Sequence, residues 1–198
     1  MTNTQAPEAR GAARRARTDE RLASTVAGQV REHGYARLTI EKVAAASGVA
    51  KTTIYRRWAS KAEMVFDLVV HRADQAPPIN TGTLAGDVKA LAERAVALVT
   101  GDPGRDVLPG LLADMAGDAQ LAARLREAFV SAARDDITAI LDRALDRGEL
   151  TGEADADGFH AALLGIPYAH VHLLADDGAG RLSERLADQL LRLLPLRH

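Results

Sequence analysis

The run "GVAKTTIYRRW", residues 48–58, brings together three basic residues, two threonines, a tyrosine and a tryptophan. Helical spacing turns Lys51, Thr52, Tyr55 and Arg56 toward one side, while Ile54 and Trp58 share another that a core can take. Thr53 and Arg57 flank the outer side. That side has the chemistry of polyanion recognition. Lysine donates to guanine acceptors, a threonine methyl packs on thymine methyls, and hydroxyls and arginines bond phosphates. Thr39, at a helix N-terminus, adds a hydroxyl and a backbone N–H for a phosphate. Lys61, opening the next helix, reaches the same strand. Arg14, Arg15 and Arg17 form a basic arm able to follow the backbone or enter the minor groove. Any one of these cations reads most simply as a solvated surface charge. Together, on two short helices joined by a glycine-containing turn, they point to duplex DNA.

Other constellations carry less. His170 and His172 point to nearly opposite sides of a helix and cannot jointly chelate, so no metal is expected. The absence of cysteine excludes disulfides, thiolate metal sites and cysteine nucleophiles. No G-x-x-x-x-G-K-[ST], G-x-S-x-G or H-E-x-x-H occurs. "DDGAG" lacks the third glycine and the preceding strand of a dinucleotide site. No cofactor and no catalytic residue is expected. A helical enzyme without a recognisable motif remains one alternative, and a ligand-independent DNA-binding or interaction protein another.

Charge supports the DNA reading. Through Lys61 there are 12 Lys/Arg against 5 Asp/Glu, and beyond it 13 against 22, although the whole chain carries only −2. A basic head on an acidic body is the electrostatic footprint of a protein that offers one end to nucleic acid. No stretch is long and apolar enough for a membrane span or a signal-peptide core, so a cytoplasmic protein is expected.

The elements that position these residues are helical throughout. Thr18 reads as an N-cap before a stripe of Leu22, Val26 and Val30, closed by Gly34. Thr39 caps a helix with Ile40, Val43 and Ala44 inward, and Ser47-Gly48 breaks it. A helix over about Ala50–Trp58 follows. "SKAE", Ser60–Glu63, is a capping box that opens the next. "DQAPPINTG" reads as a linker. Helices are predicted over Leu84–Val99, Val107–Met115, Ala119–Arg147, Phe159–Leu174 and Leu182–Leu194. The fold class is all-α. Residues 1–17 are expected as a disordered basic arm, 18–62 as a helix-turn-helix domain whose fourth helix continues to about 74, and 80–198 as a larger helical domain.

"GYARLTIEKVAAASGVAKTTIYRRWASKAEMV", residues 34–65, resembles the DNA-binding head of the TetR/AcrR family of transcriptional regulators. The likeness lies in the capped helix, the A-x-x-[AS]-G-V turn, the T-x-Y helix with its following aromatic, and the S-K opening of helix four. The resemblance implies a homodimer with a three-helix DNA-binding domain and a larger domain for ligand and dimer contacts. It implies that Lys51, Thr52 and Tyr55 read bases, and that Thr39, Thr53, Tyr55, Arg57 and Lys61 hold phosphates. Ala50 departs from the serine that caps this helix in many members, which removes about 1 kcal/mol of capping.

The same resemblance implies a repressor released from a palindromic operator by a small hydrophobic effector. Its pocket would lie among the helices of the larger domain and be mostly aliphatic, with Met115, Phe129, His160, Tyr168 and His172 as candidate contacts. The last two helices would form the dimer interface, with Leu163, Leu164, Ile166, Leu182, Leu186 and Leu190 as candidates. The alternative for these leucines is the subunit's own core.

Overall fold

The computed structural model describes residues 5–71, 77–127, 131–175 and 179–197, with side chains for 15–71, 77–127, 133–175 and 181–197. Helix α1 runs Gln5–His33. The segment expected as a disordered arm is therefore helical from Gln5. Its alanines and arginines are strong helix formers, and Thr18 sits inside the helix instead of capping it. Leu22, Val26 and Val30 are buried as the stripe requires. Gly34, at φ 77°, ends the helix and leads into a 3-10 turn over Tyr35–Arg37.

Helix α2 spans Ile40–Ser47, with the Thr39 hydroxyl accepting from the Lys42 N–H at 3.2 Å. Gly48 caps its end at φ 67°, a left-handed conformation that costs a side chain and fits glycine. Helix α3 covers Lys51–Tyr55, shorter than expected, because the chain turns at Arg56-Arg57 with the Arg57 and Trp58 N–H groups both donating to the Ile54 carbonyl. Helix α4, Lys61–Val65, continues as a π-helical turn over Phe66–His71. The Ser60 half of the capping box forms, Ser60 Oγ accepting from Glu63 N at 3.1 Å, whereas Glu63 Oε2 reaches one residue further back and accepts from Ala59 N at 2.8 Å.

In the larger part of the chain, α5 spans Leu84–Thr100 and α6 Gly104–Gly117, the latter longer than expected and carrying Pro109 inside it. The single helix predicted over Ala119–Arg147 is described as α7, Ala119–Leu125, and α8, Ser131–Asp146. Helix α9 covers Ala156–His172 and α10 Ala179–Arg192. Two interactions fix the start of α5. Its Leu84 N–H donates to Glu149 Oε2 at 2.7 Å. Asp87, fully buried, accepts from the N–H and hydroxyl of Thr81 at 2.6 and 2.8 Å. The C-terminal strand-like segment bridges Leu196 to Leu150, with Arg197 N donating to Glu149 O.

The buried side chains form two clusters. The first holds the head, around Leu22, Val26, Val43, Ile54 and Trp58, but Val107 and Leu111 of α6 and Leu121 and Leu125 of α7 complete it. The second packs α5 against α8, α9 and α10. Leu182, Leu186 and Leu190, expected at a dimer interface, belong to this second core and are at most 1% exposed; Leu163, at 5%, joins them. Their four-residue spacing makes the seam with α5, so they are unavailable to a partner. Leu164 is exposed and Ile166 half-buried. Among the described residues, no helix is long and apolar enough to cross a membrane.

Candidate nucleic-acid interface and internal cavity

Helix α3 is held from behind and open in front. Ile54 and Trp58 are buried in the head core, and Trp58 Nε1 donates to Asp67 Oδ2 at 2.8 Å. Lys51, Thr52, Tyr55 and Arg56 are exposed, Tyr55 to 49%, and Thr53 is half-buried beside them. Thr39 is half-buried and already accepts one backbone N–H as the α2 cap.

Acidic residues that the spacing argument missed organise this face. Glu41, in the first turn of α2, accepts from the Tyr55 hydroxyl at 3.1 Å and lies 3.9 Å from Lys51 Nζ. Its own backbone N–H and then the Tyr55 hydroxyl hold the Glu41 carboxyl below the usual range, and the same bond pushes the Tyr55 phenol up. Arg57 is gripped by both oxygens of Asp19 on α1, with Nη2 to Oδ2 at 3.0 Å, and its guanidinium lies 4.1 Å over the Trp58 ring. Lys61 is half-buried over the Tyr35 ring at 4.3 Å and donates to the Tyr35 carbonyl at 3.4 Å. Arg57 and Lys61 are thus engaged within the head, as Lys51 and Tyr55 are through Glu41. Asp19 lies 38 positions from Arg57, a separation no local pattern encodes.

A cavity of about 640 Å³ lies between the head and the body. Met115, His160 and Tyr168 line it. His172 stands behind, its ring centroid 4.5 Å from that of Tyr168; burial, reinforced by Arg105, pulls its pKa down. Phe129 lies outside the described residues. Leu163 and Leu164, taken above as interface candidates, face this cavity. The wall is mostly aliphatic, and Arg94 and Arg143 interrupt it. In the sequence those two arginines look like ordinary solvated charges on helices. Among the described residues, no group of three or more His, Asp or Glu could hold a metal ion.

The cavity touches the head directly. Phe66, Val70 and His71, at the end of the α4 segment, line it, and Leu111 of α6 belongs both to its wall and to the head core. Helix α6 is fastened to the head by the Tyr35 hydroxyl, which donates to Asp114 Oδ2 at 2.6 Å. Gly110 makes this approach possible, because a Cβ there would lie 2.3 Å from the Tyr35 ring. Arg31–Asp102 at 3.0 Å and Arg124–Glu63 at 2.7 Å add two further ties.

Comparison with known proteins agrees with this architecture. Residues 28–68 match the family described as bacterial regulatory proteins, tetR family, and residues 78–194 match the tetracyclin repressor-like C-terminal domain. An HTH-type transcriptional regulator of Mycobacterium bovis is 37% identical over 131 residues, covering 65% of this chain and 63% of that relative, so the match spans under two thirds of the relative's length. The DNA-binding transcriptional repressor TetR of Mycobacteroides abscessus is 33% identical over 133 residues, 64% of this chain and 67% of that protein. Among solved structures, the TetR family transcription regulator SCO0332 superposes with a TM-score of 0.68 at 26% identity, covering 87% of this chain and 96% of that one. The transcriptional regulator FadR of Bacillus subtilis, solved in complex with stearoyl-CoA, gives 0.62 at 16% identity over 86% and 96%. With a C-terminal domain matched over more than half its length and a helix-turn-helix matched ahead of it, the chain belongs to the TetR family of DNA-binding transcriptional regulators, a family without enzymatic activity.

Proposed function

We propose that the protein is a homodimeric repressor that grips a palindromic operator through two copies of α3 and is released by a hydrophobic effector in the cavity. One observation carries this reading: Leu111 serves both the cavity wall and the head core. A ligand that reshapes one therefore strains the other. Lys51, Thr52 and Tyr55 would read base edges in the major groove, with Arg56 beside them. Thr39, Thr53, Arg57 and Lys61 would hold phosphates, Arg57 after exchanging Asp19 for the DNA backbone. Effector coupling of about 1–3 kcal/mol would lower operator affinity several-fold to a hundredfold.

The named relatives support the repressor part of this reading, since one is itself a DNA-binding transcriptional repressor. NalD of Pseudomonas aeruginosa, a repressor of a multidrug efflux pump, shares the fold at a TM-score of 0.62 and 20% identity over 92% of this chain and 97% of that one. For the dimer, exposed Leu173 and Leu174 just past α9 and Leu193 just past α10 offer the apolar surface that the buried leucines do not. Titration of the DNA upstream of the protein's own gene tests the whole. A two-fold symmetric footprint, preferred over random DNA by about three orders of magnitude or more, is expected. Equal affinity for random DNA would leave only a packaging protein.

A further inference from the structure

Several arginines in this structure have carboxylate partners. Arg57 is held by Asp19, Arg124 by Glu63, Arg134 by Asp157 and Arg147 by Glu149. Arg94 of α5 and Arg143 of α8 are different. Both are half-buried and line the aliphatic cavity, yet among the described residues neither comes within 4.0 Å of a carboxylate. Each donates one Nη2 hydrogen bond to a backbone carbonyl, Arg94 to Pro77 at 2.6 Å and Arg143 to Ile79 at 2.8 Å. Arg143 Nε is shut off from solvent and makes no hydrogen bond. A guanidinium carries five N–H donors in a planar fork, so most of this donor capacity is unspent. Asp136 shares the wall two helical turns before Arg143, and it is exposed and reaches neither guanidinium.

Half-desolvated cations against an apolar wall are stabilised when an anion joins them. The recurring solution is a forked guanidinium–carboxylate pair. We propose that the effector is an anionic amphiphile: an aliphatic chain lying on Leu98, Leu108, Leu112 and Ile140, with a terminal carboxylate held between Arg94 and Arg143. This rests on the effector reading above and narrows it to a chemical class. It also supplies a route to the head. The carbonyls these arginines now hold, Pro77 and Ile79, belong to the segment joining α4 to α5. A carboxylate that recruits the same donors competes with those carbonyls and alters how that segment is anchored.

The test is calorimetric binding of dodecanoate and of dodecanol to the full chain, in the wild type and in the Arg94→Gln/Arg143→Gln double variant. Dodecanoate is expected to bind at least about tenfold more tightly than dodecanol, the preference falling to within about twofold in the double variant while dodecanol binding persists. If the double variant fails to fold, Arg143→Lys keeps the charge but not the fork, and it must weaken dodecanoate selectively. Equal affinity for acid and alcohol, or a preference that survives the double variant, overturns the proposal. Binding of neither probe overturns it too. In either failure, operator release by a neutral hydrophobe would show that the cavity is still the effector site, whereas failure of every cavity ligand to release DNA would remove that reading as well.

Discussion

The Tyr35 hydroxyl and the Asp114 carboxylate meet at 2.6 Å across the boundary between the DNA-binding head and helix α6. Burial, followed by this bond to Asp114, drives the Tyr35 phenol far above its ordinary pKa, so it remains a donor throughout the working range. Tyr35→Phe keeps the ring against Gly110 and deletes only the bond. A loss of about 1.5–3 kcal/mol is expected, as for hydrogen bonds to charged groups. Urea titration measures it, and operator titration with and without effector should show a smaller effector response in the variant. An unchanged response would mean that the head moves independently of α6.

The bidentate Asp19–Arg57 pair sets the resting charge of the interface. Asp19→Asn frees the guanidinium and removes a carboxylate near the DNA. Affinity for operator and random DNA should rise together, with a steeper salt dependence, by up to about one phosphate contact. Arg57→Ala should weaken both together and flatten that dependence. Lys51→Ala, by contrast, should relax sequence preference at one base position by about 1–3 kcal/mol. Fluorescence anisotropy over a salt series distinguishes these outcomes.

The helix-turn-helix was legible because its determinants are local. Thr39, Gly48 and Ser60 each act within four residues of their partners, and the inward pair Ile54 and Trp58 follows from helical spacing alone. What escaped depends on contacts across the fold. Glu41 meets Tyr55 fourteen residues away, and Arg143 meets Ile79 sixty-four away. The leucine stripe of α10 was visible, but its destination was not. A stripe of Leu182, Leu186 and Leu190 satisfies a dimer seam or a monomer core equally well, and the choice was made by α5, which presents the complementary face.

Asp87 is completely buried; its Oδ1 accepts both Thr81 hydrogen bonds and its Oδ2 lies 3.9 Å from the Arg147 guanidinium. Asp87→Ala removes the buried acceptor that the Thr81 N–H, the Thr81 hydroxyl and the Arg147 guanidinium share at the start of α5. The cost should be about 2–5 kcal/mol, read as a lower urea midpoint with an unchanged slope. Exposed Glu153, mutated in the same way, should change stability by no more than about 0.5 kcal/mol.

Glu149 gives the body an acid-sensitive joint. The Leu84 N–H and then the Arg147 guanidinium hold its carboxyl below the ordinary glutamate pKa. A carboxyl depressed in the folded state stabilises fully above its unfolded pKa, and this stabilisation is lost as pH falls through the folded value. Wild-type stability should therefore fall on acidification below about pH 4.3 more steeply than that of Glu149→Gln. Parallel curves for the two proteins, in urea melts from neutral pH to about pH 3, would show that Glu149 adds nothing to the acid limb.

Trp58 is the chain's single tryptophan, and it sits where the head's two states would differ. One indole face carries the Arg57 guanidinium and the ring nitrogen is tied to Asp67, so its emission colour and quenching depend on where Arg57 rests. Departure of that cation to a phosphate would strip the ring of its overlying charge. The protein therefore contains a built-in optical probe of operator engagement, readable without a dye.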